Sequence, residues 1–192
     1  DCIVRGMNTH LHIATKVLAE WLENLLPRVS ENWWDECVID NLSYNQRETA
    51  KSKKFTKLKD FDLAALLRIA NKSWYSMRQV AFLPTRERGC IRDMMRVRNN
   101  WAHCGANLPG KDVILQDLNT LHEFFEQCEC DEQLINEIER LNEKVKSSSM
   151  VDFDSLAQLE ETPEATMENV GEYEIHEKGL VYLIGDPSIR GI

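Results

Sequence analysis

Six consecutive residues carry Arg98, Asn99 and His103, with Asn100, Trp101 and Ala102 between the amide and the imidazole. These three side-chain types can act together on a phosphate. Histidine, with an ordinary pKa of about 6.5, exchanges protons near neutral pH. Arginine keeps its charge there, and its planar fork donates paired hydrogen bonds to phosphate oxygens. An amide can orient an imidazole or donate to the same phosphate. The acids of a two-metal site are not grouped with them: Glu87 and Asp93 are the only acids on the segment, and they do not share a face. The chemistry this set fits is proton transfer around a phosphoryl group, with no metal and no cofactor.

The element that must position them runs from Arg86 to Gly105. At about 100° per residue, Cys90, Met94, Val97, Trp101 and Cys104 form one narrow apolar seam. Arg88, Arg92, Arg96, Asn99 and His103 form a stripe on the opposite side. Five residues correspond to about 500°, so Arg98 and His103 lie some 140° apart on an ideal helix, whereas Asn99 and His103 share a face. Two arrangements would bring guanidinium and imidazole together: the helix unwinds near Gly105, or a second copy of the chain completes the site. A plainer reading has Arg98 anchoring a carboxylate on a neighbouring helix while Asn99 and His103 close the helix end.

The hexapeptide Arg98-Asn99-Asn100-Trp101-Ala102-His103 resembles the R-x(4–6)-H motif of HEPN domains, all-α modules found in many metal-independent ribonucleases of defence, toxin–antitoxin and RNA-processing systems. Its wording through Cys104 is similar to the subfamily that includes a eukaryotic mRNA-surveillance endoribonuclease and the N-terminal regions of bacterial defence helicases. The resemblance covers roughly residues 10–146. It implies His103 as general acid/base, Arg98 as phosphate and transition-state stabiliser, Asn99 as orienter, and Arg88, Arg92 and Arg96 as electrostatic binders. It further implies cleavage of single-stranded RNA to a 2′,3′-cyclic phosphate, and a homodimer in which two motifs face one cleft. Two other readings stay open. One is a HEPN module without catalysis, serving dimerisation or nucleic-acid docking for a downstream helicase. The other is a partner-binding helical bundle, favoured by the net negative charge and opposed by the row of arginines.

Charge is divided along the 192 residues, whose net charge is −9. Residues 47–98 hold fourteen Lys or Arg against five Asp or Glu, and residues 112–177 hold three against nineteen. The basic half would attract a phosphate backbone and the acidic half would limit indiscriminate binding; a solvated surface with an acidic tail is the blander reading. No apolar run approaches the eighteen or so residues of a membrane span, and no signal peptide is visible. Six cysteines without disulfide-framework spacing fit a reduced, cytoplasmic setting. Cys128-x-Cys130 and His10-x-His12 lack the usual zinc-ligand spacing.

The chain as a whole predicts an all-α antiparallel bundle of five to six helices over residues 1–146, an acidic linker over 147–172 and a β-hairpin over 173–192. The first helix is expected over 9–26, capped by Asn8 or Thr9 and stopped by Pro27. A second begins after Ser30 and carries Trp33, Trp34, Cys37, Val38 and Leu42. Residues 45–59 are polar and basic, a loop or frayed helix whose Lys53, Lys54 and Lys57 form either a phosphate-contacting strap or a solvated connector. Asp60 is expected to cap a third helix whose seam runs Leu63, Leu67, Ala70, Trp74, Met77 and Ala81, with Pro84 ending it. Asp112 is expected to cap the helical stretch after the motif, and 112–146 is either one bent helix or two. Residues 182–192 resemble the opening of the small SH3-like barrel that precedes the motor in some Swi/Snf-type helicases. The chain opens at Asp1 and stops within a strand-like pattern, which is expected of a piece of a longer protein.

Overall fold

The structure, a computed structural model, describes residues 2–102, 104, 108–148, 172–175 and 181–184. The chain divides into two compact units, Asp1–Ala157 and Gln158–Ile192. The first unit is helical throughout most of its described residues. Most of the expected acidic linker, from residue 149 to 171, lies outside the described residues, as does the segment joining the two strands.

Helix α1 spans Cys2–Leu25. It begins well before Asn8 because Ile3 and Met7 prolong the buried stripe of Ala14, Leu18 and Leu22. Thr9 does not cap; its hydroxyl donates 2.8 Å back to the carbonyl of Arg5, the bond of a mid-helix threonine. Pro27 enters a 3-10 turn, Leu26–Arg28, that ends the helix. The expected second helix is instead a π-helical turn, Trp34–Val38, running into a 3-10 turn, Ile39–Asn41. Trp33 and Trp34 sit edge to face, 5.6 Å between centroids, and Trp34 then leans on Phe61.

The polar stretch after it contains a real helix, α2 (Tyr44–Ser52), held by a capping box. Ser43 Oγ accepts from the Gln46 amide at 3.3 Å, and Gln46 Oε1 accepts from the Ser43 amide at 3.0 Å. Helix α3 (Leu63–Lys72) is capped by Asp62, whose carboxylate accepts from the Ala65 amide at 2.8 Å. Asp60 serves the preceding 3-10 turn, accepting from the amides of Thr56 and Lys57. The expected long third helix breaks at Ser73, and a one-turn helix, α4 (Trp74–Met77), comes next. Buried Ser73 donates to the Cys37 carbonyl at 3.1 Å and accepts from Asn41 at 2.9 Å, so a tertiary hydroxyl network sets the break.

Helix α5 (Thr85–Ala102) carries the motif segment. Helix α6 (Lys111–Gln127) starts after Gly110, with Asp112 in its first turn rather than at its cap. Helix α7 (Glu132–Ser147) is capped by Asp131, which accepts from the Leu134 amide at 2.8 Å. Residues 112–146 are therefore two helices, parted where Glu129 takes a left-handed backbone with φ 52°. Helix α5 packs between α3 and α6, α6 packs on α7, and α1 lies against α3, α6 and α7. Trp74, Phe124, Phe125, Met7, Leu18 and Leu22 fill the centre. Helices α1 and α7 approach closely at Gly6, where a Cβ would meet the Leu141 side chain at 2.9 Å.

In the second unit, strands β1 (Glu172–Ile175) and β2 (Val181–Ile184) pair antiparallel, with Tyr173 opposite Leu183 and Ile175 opposite Val181.

Candidate nucleic-acid interface

Helix α5 turns its apolar seam inward as the spacing predicts, with Cys90, Met94, Val97 and Trp101 buried; Cys104, expected to extend the seam, lies past the helix end at Ala102 and is half-buried. Its polar residues separate into two groups with different partners.

One group faces α6 and meets Asp117, a fully buried carboxylate. Arg96 Nη1 donates to Asp117 Oδ1 at 3.0 Å, Trp101 Nε1 donates to Oδ2 at 3.0 Å, and Asn100 Nδ2 lies 3.2 Å from Oδ2. Arg96 also donates to Thr120 Oγ1 at 3.4 Å. An ionised carboxylate taken out of water costs several kcal/mol unless charge and hydrogen bonds replace its hydration. Here a guanidinium, an amide and an indole do so. Arg96, which the resemblance implied as an electrostatic binder, has its head group held by Asp117 while about a third of its side chain, 34%, stays exposed. A carboxylate on a neighbouring helix does anchor an arginine of the motif segment, but that arginine is Arg96 and not Arg98.

The other group faces α3. Arg98 Nη1 donates to Asn99 Oδ1 at 3.2 Å, and both side chains line an open groove of ≈ 360 Å³. Across it, α3 contributes Arg68, Asn71 and Lys72, and the start of α2 contributes Ser43 and Gln46. Ala64, Leu67 and Met95 complete the floor, and no carboxylate lines it among the described residues. Arg68 is tethered by Nε to the Asn41 carbonyl at 2.7 Å. Lys72 is exposed and makes no side-chain bond to another described residue. Spacing on α5 could not reveal Arg68, Asn71 and Lys72, because they lie on a different helix; the one local trace is their i, i+3, i+4 placement on α3.

The remaining expected binders are scattered around this groove. Arg88 donates to Asn71 Oδ1 at 3.2 Å and to the Tyr75 hydroxyl at 2.9 Å, its guanidinium 4.8 Å from that ring's centroid. Arg92 is exposed. Lys53, Lys54 and Lys57 are exposed beyond the end of α2. Lys53 opens onto a separate groove with Phe55 and Phe61, which meets the first only at Gln46. His103 lies outside the described residues, as do Gly105 and Asn107, so the Arg98–His103 approach stays an expectation of the motif.

Two thiols of the bundle, Cys90 and Cys128, are held in their protonated form by burial. Burial pushes Cys90 up to about 12, with the nearby carboxylates of Glu123 and Asp93 adding to it, and burial pushes Cys128 higher still. Cys90 points its thiol at the Thr120 carbonyl, 3.9 Å away. Glu87, half-buried beside Trp21 and Trp74, has its carboxyl raised by burial and partly lowered again by Arg86. Among the described residues no three His, Cys, Asp or Glu side chains gather as metal ligands, and no helix is long and apolar enough to cross a membrane.

Helices packed on both sides of α5 define an all-α class, and one family model fits it. The family model described as Swt1-like HEPN matches residues 10–129. The chain belongs to the Swt1-like HEPN family. No curated protein and no solved structure matches the chain significantly.

Proposed function

We propose that the helical unit is a metal-independent HEPN endoribonuclease domain that cuts single-stranded RNA, acting as a homodimer in a cytoplasmic, defence- or helicase-linked protein. The observation that carries this reading is the division of polar residues on α5. Asp117 holds Arg96 and Asn100, whereas Arg98 and Asn99 face an open groove that also presents Arg68 and Lys72, with no carboxylate among its described lining residues. A site built to receive phosphate would be arranged in this way.

In the reaction, Arg98 donates to the non-bridging oxygens of the scissile phosphate and holds the charge that gathers there. One His103 removes the 2′-hydroxyl proton as the 2′-oxygen attacks phosphorus. The 5′-oxygen departs and takes a proton from the partner's His103, leaving a 2′,3′-cyclic phosphate and a free 5′-hydroxyl. Asn99, one turn before His103, orients the imidazole. Two copies supply base and acid at once, which also answers the separation of about 140° between Arg98 and His103 on one helix.

Labelled single-stranded RNA incubated with the protein in EDTA is expected to be cut to cyclic-phosphate ends, with activity lost in His103→Ala. RNA binding that persists in both proteins without cutting would favour the second reading, a docking module for a downstream helicase. That reading is favoured by the strand pair C-terminal to the helical unit.

A further inference from the structure

Two exposed tyrosines stand close in the chain to residues that line the groove beside Arg98. Tyr44 is the first residue of α2, between Ser43 and Gln46, which both line the groove, and its side chain is 78% exposed. Tyr75 lies less than one turn beyond α3 and is 65% exposed. Tyr75 is not a loose surface ring. Arg88 bonds its hydroxyl and lies over the ring, and the same guanidinium bonds Asn71 of the groove. The tyrosine is thereby fixed to the groove wall while much of its surface remains open.

Burial does not explain these rings, since neither contributes to the core. Cations unaccompanied by acids among the described lining residues, with exposed tyrosines at neighbouring chain positions, match the chemistry of an unpaired nucleic-acid strand. The backbone supplies phosphates to the guanidinium and ammonium, and the bases supply π-faces to the rings. Duplex RNA offers the phosphates but keeps its bases stacked within the helix.

Resting on the RNA reading above, we propose that Tyr44, Arg68, Lys72 and Tyr75 form a binding track for single-stranded RNA, distinct from the cutting residues. Arg68 and Lys72 hold backbone phosphates that lead to Arg98. Tyr75, clamped by Arg88, and Tyr44 stack bases at the two ends. The track selects unpaired strands by stacking and is indifferent to base identity.

The test uses the whole chain and a fluorescent 2′-O-methyl oligouridylate, which lacks the attacking hydroxyl and stays intact whatever the catalytic outcome. Tyr75→Ala is expected to weaken binding on the order of tenfold and Tyr75→Phe to retain most of it, because the ring and its face contact with Arg88 remain when the hydroxyl bond is lost. Lys72→Gln is expected to weaken binding and to flatten the log–log salt slope by about 0.7. Oligomers with abasic positions should bind wild type less tightly, and that loss should be smaller in Tyr75→Ala, where Tyr44 alone is left to stack. Thermal melts verify folding; if Tyr75→Ala melts early, Tyr44→Ala carries the stacking arm. Unchanged binding in folded Lys72→Gln and Tyr75→Ala would overturn the track, as would equal affinity for duplex RNA. A protein that binds through these residues yet leaves ordinary RNA intact would keep the track and sink the nuclease. One that cuts RNA while ignoring them would do the reverse.

Discussion

Asp117 receives an arginine, an amide and an indole N–H from three positions of α5 that span just over one turn. This fixes the rotation of α5 about its own axis and so decides which of its polar residues face outward. Removing the carboxylate leaves those donors desolvated and unpaired, so Asp117→Ala should lower stability by about 3 kcal/mol in urea unfolding. Cys90 offers a pH test. Its thiol is held near 12 in the fold against an ordinary value of 9.0, so the folded state favours the protonated form. That contribution is complete below pH 9 and is lost as pH rises from 9 towards 12. Melting temperature should fall across that window in the wild type and fall less in Cys90→Ala. Equal slopes would show that Cys90 does not set the alkaline limit.

Among the helices, those with a strong apolar period were legible and those held by local polar bonds were not. The inward seam of α5 followed from residue types alone. The α2 stretch reads from sequence as a loop or a frayed helix alike, because it buries only Ala50 and depends on the Ser43–Gln46 box. The break after α3 is set by the Ser73 hydroxyl reaching Cys37, 36 residues earlier, and no periodicity contains that information. The same holds for the site. The α5 seam could be read from spacing, and Arg98 and Asn99 entered through residue type and the motif resemblance, whereas the partner of Arg96 lies on α6 and the second wall of the groove on α3. Capping can be checked directly: Asp62→Ala should cost about 1 kcal/mol by exposing the first amides of α3. A change within a few tenths would mean the 3-10 turn before it fixes that helix end.

At the scale of the chain, the lysines and arginines of residues 47–98 contribute the cations of the groove, and the acids of residues 112–177 begin on α6 and α7. If the proposed RNA reading holds, affinity for RNA should fall steeply with added salt. The proposed two-copy site requires light scattering to give twice the mass of one chain, and a strict monomer that still cuts RNA would require His103 and Arg98 to act from a single chain. The central claim is that α5 assigns folding to Arg96 and chemistry to Arg98. The direct measurement is melting temperature and RNA cleavage in EDTA for Arg96→Ala and Arg98→Ala side by side. Arg98→Ala is expected to melt like wild type and no longer cut, while Arg96→Ala melts several degrees lower. An Arg98→Ala protein that cuts normally, or one that unfolds while Arg96→Ala stays stable, would contradict it.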